Sequence, residues 1–219
     1  MTVKQRTKPN LKKQIVAKAK SYGVDIIGFA SVERWAEYHE MEERFYPQHV
    51  FPFSKTVIVL ALPIFIPMLD TTPSIVYSEL YNTSNKLLDE IGYKLALDIN
   101  NKGYQAVFFP RDGYGDISVL IDKPEAAFSH VFAGKYAGLG TIGYNHTLLT
   151  REYGPRVRLV SIFTDAEIEQ DDIIDEELCI KCLMCKTCCP TSAFTTTKHL
   201  IADMDKHKCA VYHAELKNQ

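Results

Sequence analysis

The sequence lacks an apolar run long enough to cross a membrane. Its longest, 56–69, is broken by Pro63 and Pro67, whereas a spanning helix needs about 20 predominantly apolar residues. Residues 1–10 are polar and basic, with neither an apolar core nor a twin-arginine pair, so they do not read as a secretory signal. There is no excess of positive charge: 25 Lys and Arg stand against 27 Asp and Glu, a net charge of −2. That balance argues against a broadly basic nucleic-acid-binding surface. No internal repeat is visible, and no G-x-G-x-x-G loop joins a strand to a helix as a dinucleotide site requires. These absences lead to the expectation of a cytoplasmic protein with no membrane partner.

What is present is enough apolar material for a real core: 46% of 219 residues. The cysteines are therefore not needed as staples. In a reducing cytosol, clustered cysteines serve as metal ligands more often than as disulfides. Five of the six lie in Cys179-Ile-Lys-Cys182-Leu-Met-Cys185-Lys-Thr-Cys188-Cys189-Pro190. Read as C-x2-C-x2-C-x3-C-P, this is the spacing that wraps a [4Fe–4S] cluster in bacterial ferredoxins. Zinc sites bring two separated pairs instead. Cys179, Cys182 and Cys185 form the triplet. Cys189 carries the spacing of a ligand to a second cluster, and Cys209 is the one distant cysteine, able to complete the first cluster or join Cys189 at a second. Cys188 is outside the pattern: a spare thiol, a replacement ligand or a small buried residue. Two clusters need eight thiolates against six present. Either one cluster is bound with an unusual fourth ligand, or a second is completed by chain beyond Gln219.

Hydrophobic periodicity predicts helices over 11–22 and 78–102, the second with a possible break at Gly92, and a short helix over 125–136. Strands are expected at 24–30, 57–62, 104–109 and 156–163. Helices alternating with short strands predict an α/β (α+β) helix–sheet core over 1–165. Residues 166–178 are strongly acidic and read as a solvated linker, with a docking face for a basic redox partner as the alternative. Residues 166–219 are expected to form a small iron–sulfur appendage.

The stretch Ala137-Gly138-Leu139-Gly140-Thr141-Ile142-Gly143-Tyr144-Asn145 resembles the A-G-L-G-x-x-G-x-N segment of epoxyqueuosine reductases and their reductive-dehalogenase-like relatives. Leu148-Leu149-Thr150, the run from Glu152 to Arg158, Thr164-Asp165 and the region Cys209 to His213 extend the likeness. The resemblance implies a nitroreductase-like core that binds a corrinoid (cobalamin), followed by a ferredoxin-like module that is incomplete here. It assigns Cys179, Cys182 and Cys185 to one [4Fe–4S] cluster, and Cys189 and Cys209 to a second in a longer form. Electrons would come from a donor protein such as a ferredoxin or flavodoxin. One departure stands out: epoxyqueuosine reductases carry an acidic proton donor in a V-D-T segment, where this chain has Ile121-Asp122-Lys123-Pro124-Glu125. Phe128-Ser129-His130 is closer to a shorter branch of the superfamily, which leaves tRNA epoxyqueuosine reduction as a third reading, after reduction of another substrate and non-catalytic electron or corrinoid carriage.

Several residues are candidates for the site. Gly138, Gly140 and Gly143, with Asn145, would let backbone approach a flat cofactor, or else form a tight turn. His130 and Tyr144 are candidate proton donors. Asp122 and Glu125 would serve as acids if burial raised their pKa, with helix capping as the plainer role. Arg156 and Arg158 flank Val157 and share a strand face, turned to an anionic ligand or to solvent.

Overall fold

A computed structural model describes residues 10–111, 117–195 and 201–217. The chain runs α1 (Leu11–Ser21), β1 (Ile26–Ser31), α2 (Glu33–Tyr38), α3 (Pro47–Val50), β2 (Thr56–Pro63), α4 (Ile66–Leu69), α5 (Ile75–Asn100) and β3 (Ala106–Phe109). It continues with α6 (Ile117–Asp122), α7 (His130–Tyr136), β4 (Thr141–Ile142), β5 (Leu148–Leu149) and β6 (Val157–Thr164). The last elements are α8 (Met184–Thr187), β7 (Phe194–Thr195), β8 (Asp203–Met204) and α9 (Lys206–Lys217).

The main sheet has the order β1-β2-β6-β3, with every neighbouring pair antiparallel. Side chains alternate across it, as the pleat demands. Ile58, Leu60, Val160 and Ile162 point to one face, where they meet Leu88, Ile91, Leu95 and Ile99 of α5 and Ile15 and Ala19 of α1. Val57, Val59 and Phe163 point to the other, against Trp35 of α2 and Ala133 and Tyr136 of α7. The result is a sheet between two helical layers, in agreement with the mixed helix–sheet expectation.

Gly92 does not break α5. A Cβ there would come within 3.3 Å of Val160 and 3.5 Å of Phe108, so the glycine lets the helix lie close on the sheet. The helix starts earlier than expected because the Ser74 hydroxyl caps it, accepting from the Tyr77 N–H at 3.1 Å. The helix expected over 125–136 is confined to α7, whose cap is Ser129.

The acidic segment after β6 is not a solvated linker throughout. Ala166 and Ile168 are buried, and Thr56 Oγ1 both donates to Ala166 O and accepts from Ile168 N. Asp171 then binds the open edge of β1: its N–H donates to Phe29 O, and its carboxylate accepts from Phe29 N and Lys12 Nζ. This strap covers an edge that would otherwise present unpaired backbone groups. No helix among the described residues is long and apolar enough to cross a membrane.

Candidate functional site

Two adjoining cavities lie where the sheet, α5 and the 124–132 segment meet the carboxyl-terminal elements. The larger, 740 Å³, is walled by Phe45, Phe128, Phe132 and Ile142, and reaches His146, Cys209 and His213. The smaller, 470 Å³, is walled by Met68, Leu80, Leu148 and Val157, and holds His130, Arg111 and Arg156. Tyr81, Phe128, Ser129 and Arg158 line both. Apolar walls with a few convergent polar groups are what ligand sites usually offer.

Arg156 lies just before β6 and Arg158 within it, and both line the smaller cavity. The Arg156 guanidinium donates to Ile64 O at 3.1 Å. Arg158 donates from Nε to Asn85 Oδ1 at 2.9 Å, and its guanidinium carbon lies 4.8 Å from the centre of the Tyr81 ring. Arg111 is ion-paired with Asp89. The smaller cavity thus has a cationic wall suited to an anionic group.

His130 opens α7, with its ring between Phe109 and Phe128. Nε2 lies 3.0 Å from Pro110 O, and Nδ1 lies 2.8 Å from Ser161 Oγ. A carbonyl only accepts, so Nε2 carries a proton; in the neutral ring Nδ1 then accepts from the serine hydroxyl. Tyr144 is buried, and its hydroxyl donates to Thr195 O at 2.9 Å. It joins the core to the β7–β8 hairpin and does not line either cavity, as His146 does while bonding Ala202 O at 2.6 Å. Glu125 lines the larger cavity but forms an ion pair with Arg44 at 2.9 Å, which holds its carboxyl below the ordinary value. That corrects the expectation of a raised pKa. Asp122 is exposed at the end of α6.

The glycines approach the chain's own backbone. A Cβ at Gly138, whose φ is +72°, would sit 2.2 Å from Asp172 O, and one at Gly140 would sit 2.0 Å from Leu149 O. At Gly143 the nearest atom is Asn145 Oδ1 at 3.0 Å. Asn145 Oδ1 in turn accepts from Thr147 Oγ1 at 2.8 Å, within the turn joining β4 to β5. The tight-turn alternative accounts for these contacts.

None of the six cysteines is in a disulfide. Among the described residues no three Cys, His, Asp or Glu side chains converge as a single metal ion would require. A cubane asks for something else, because each thiolate binds a different iron and the thiols ring the cluster. The loop suits that task. Lys181 and Leu183, on either side of Cys182, both have positive φ (53° and 59°). Such residues curl the backbone into concavities of N–H groups that favour anions, iron–sulfur sites included. Cys189 Sγ accepts from Ala193 N at 3.4 Å and lies 3.4 Å from Thr191 Oγ1, contacts that push its pKa down. Cys209, on α9, is pushed up by burial and by Cys189 nearby. The donor set and the backbone therefore fit an iron–sulfur cluster. Tyr81 and the shared role of Arg158 were not legible in the sequence: Tyr81 reads as one more aromatic on an amphipathic helix.

The comparisons agree with the motifs. The chain is 31% identical over 180 residues to a tetrachloroethene reductive dehalogenase of Desulfitobacterium hafniense, covering 80% of this chain and 28% of that protein. It is 25% identical over 225 residues to an epoxyqueuosine reductase of Bacillus cereus, covering 94% of this chain and 57% of that one. This chain is related to the reductive dehalogenases and epoxyqueuosine reductases. No protein-family model matches it. Its fold is shared with a reductive dehalogenase whose structure suggests a mechanism for B12-dependent dehalogenation: the TM-score is 0.70 at 22% identity, over 96% of this chain and 30% of that one. The chain thus spans about a quarter to about a half of the length of these relatives. They are reductases by name.

Proposed function

We propose that this chain is an iron–sulfur oxidoreductase unit that delivers electrons to a corrinoid or a substrate held in the paired cavities. The observation that carries this reading is that Cys209 lines the same cavity as Tyr81 and Arg158. The cysteine segment runs into the β7–β8 hairpin, whose Met204 lines that cavity as well. Cys179, Cys182 and Cys185 would hold the cluster. The paired cavities, lined by apolar side chains and flanked by arginines, suit a large amphiphilic cofactor with an anionic arm. When bound, a [4Fe–4S] cluster supplies single electrons and a corrinoid a strongly reducing centre.

The chain's own residues do the rest. Arg156 and Arg158 orient an anionic group. Phe128, Phe132 and Leu148 exclude water, which strengthens those charge contacts. Tyr81, which lines both cavities, is the group placed to hold a proton at the wall, while His130 has both ring nitrogens engaged by Pro110 O and Ser161 Oγ. Glu125, charged and paired with Arg44, is not a donor at neutral pH. The absence of an uncharged carboxylic acid at Glu125 favours a second reading, an electron carrier or corrinoid-handling partner that turns over no substrate.

The test is anaerobic reconstitution of the whole chain with ferrous iron and sulfide, followed by gel filtration with cobalamin. Co-elution of cobalamin with the protein, weakened by Arg158→Ala, supports the proposal. Cobalamin that elutes wholly apart from an iron-loaded protein removes the corrinoid from it.

A further inference from the structure

We propose that the segment from Tyr136 to His146 is a two-sided socket that seats the cysteine segment on the core, with Thr141, Tyr144 and His146 as positioning residues that hold its two ends beside the larger cavity. The inference rests on the iron–sulfur reading above for what the seated segment carries, and on the core contacts alone for the seating.

The socket grips the chain on both sides of the cysteines. On the upstream side, the buried Arg34 donates from Nη1 to Tyr136 O and, at 2.7 Å, to Asp171 O, which ties the end of α7 to the strap. Gly138 lets Asp172 O approach to within 2.2 Å of where a Cβ would sit. Thr141 Oγ1 accepts from Leu178 N at 3.1 Å, and Leu178 directly precedes Cys179. On the downstream side, Tyr144 works through two groups. Its hydroxyl donates to Thr195 O at 2.9 Å, and its carbonyl accepts from Ala202 N at 3.0 Å. His146 Nε2 lies 2.6 Å from Ala202 O; a carbonyl only accepts, so Nε2 carries the proton.

Thr141, Tyr144 and Ala202 are all buried, so water does not readily replace a partner lost among them. The cysteine loop between the two grips is the opposite case. Cys182 and Cys188 are exposed. Its hydrogen bonds from Lys186 N to Leu183 O, Cys188 N to Met184 O and Ser192 N to Cys189 O run within the loop itself. Its place on the molecule is therefore set largely by its flanks. The socket also faces the ligand site: Ile142 and His146 line the larger cavity together with Met204 and Cys209 from beyond the cysteine loop. One short stretch of core thus fixes the separation across which an electron passes from the cysteine segment to the cavity.

The experiment compares the full wild-type chain with Thr141→Val, Thr141→Ser and Tyr144→Phe. Valine keeps the branched shape of threonine and removes the acceptor of the Leu178 N–H; serine keeps that acceptor. In the apo chains, hydrogen–deuterium exchange should quicken about two- to tenfold over 171–178 in Thr141→Val and over 201–205 in Tyr144→Phe. It should stay at the wild-type rate in β2 and β6, the mark of local rather than global opening. Thr141→Ser should restore the wild-type rate. Each chain is then loaded anaerobically with ferrous iron and sulfide, reduced, and mixed with hydroxocobalamin. One electron leaves the reduced cluster, which becomes oxidised, and converts Co(III) to Co(II). Per bound cluster, Thr141→Val and Tyr144→Phe should deliver it about tenfold more slowly, with Thr141→Ser close to wild type. Flank exchange that is unchanged in Thr141→Val and Tyr144→Phe, or that rises equally in β2 and β6, overturns the socket. Loosened flanks with an unchanged transfer rate overturn the positioning role, as does a loaded wild-type chain that reduces no cobalamin. A wild-type chain that takes up no iron overturns the iron–sulfur reading instead, and the exchange rates still decide the socket.

Discussion

Replacing Gly140 by alanine separates a packing glycine from a cofactor-contacting one. The new Cβ would lie 2.0 Å from Leu149 O and 2.8 Å from Leu149 C. Both are backbone atoms of β5, which is held in register by the Thr141–Leu149 and Ile142–Leu148 pairs. No side-chain rotation relieves the overlap, so the hairpin must shift. Overpacking of this kind costs about 1–3 kcal/mol, and the backbone contact puts this case near the top of that range. In a chain of this size each kcal/mol lowers Tm by about 2–4 °C, so the expected fall is roughly 6–12 °C. Gly154→Ala is the control: φ is +56° and nothing lies within 4 Å of its Cβ. It incurs only the left-handed backbone penalty, about 1 kcal/mol, or roughly 2–4 °C. Thermal unfolding of the apo chain by circular dichroism measures both. If Gly140→Ala melts with the wild type but no longer retains cobalamin, the glycine serves a ligand and the packing account fails.

Arg158→Ala removes cationic charge from the cavities and strips the buried Asn85 of its partner. We expect about 1–3 kcal/mol of lost stability and, by calorimetry with benzoate as the anion, roughly tenfold weaker binding, equivalent to about 1.4 kcal/mol; unchanged binding contradicts an anion role. Trp35, buried against Tyr136 with ring centres 4.8 Å apart, should cost about 3–5 kcal/mol when cut to alanine, read by urea unfolding. The Glu125 carboxyl is held below its ordinary value first by its hydrogen bond to Arg44. Its contribution to folding is therefore present above the ordinary carboxylate pKa and lost as pH falls through the lowered one. Arg44→Ala should move the Glu125 titration, followed by NMR, up toward 4.5, and an unmoved midpoint would show that the ion pair does not form in solution.

The large elements were legible because their burial is periodic. Strands β2 and β6 are runs of branched residues, and α5 repeats Leu88, Ile91, Leu95 and Ile99 at helical intervals. Gly92 misleads as a breaker because its purpose lies in a contact with Val160, far away in sequence. The strap at 166–178 looked solvated because its acidic residues dominate the composition, yet Ile168 and the Asp171 contacts with β1 fix it. The cysteine segment could be recognised from spacing alone. The cavities could not: they join residues from α5, β6, α7 and α9, which are far apart in sequence.

The central claim is that the cysteine segment binds an iron–sulfur cluster. Iron and acid-labile sulfide analysis of the anaerobically reconstituted wild-type chain tests it most directly. The account predicts about four of each per chain with a broad absorbance near ~400 nm. A folded chain that holds neither iron nor sulfide contradicts it.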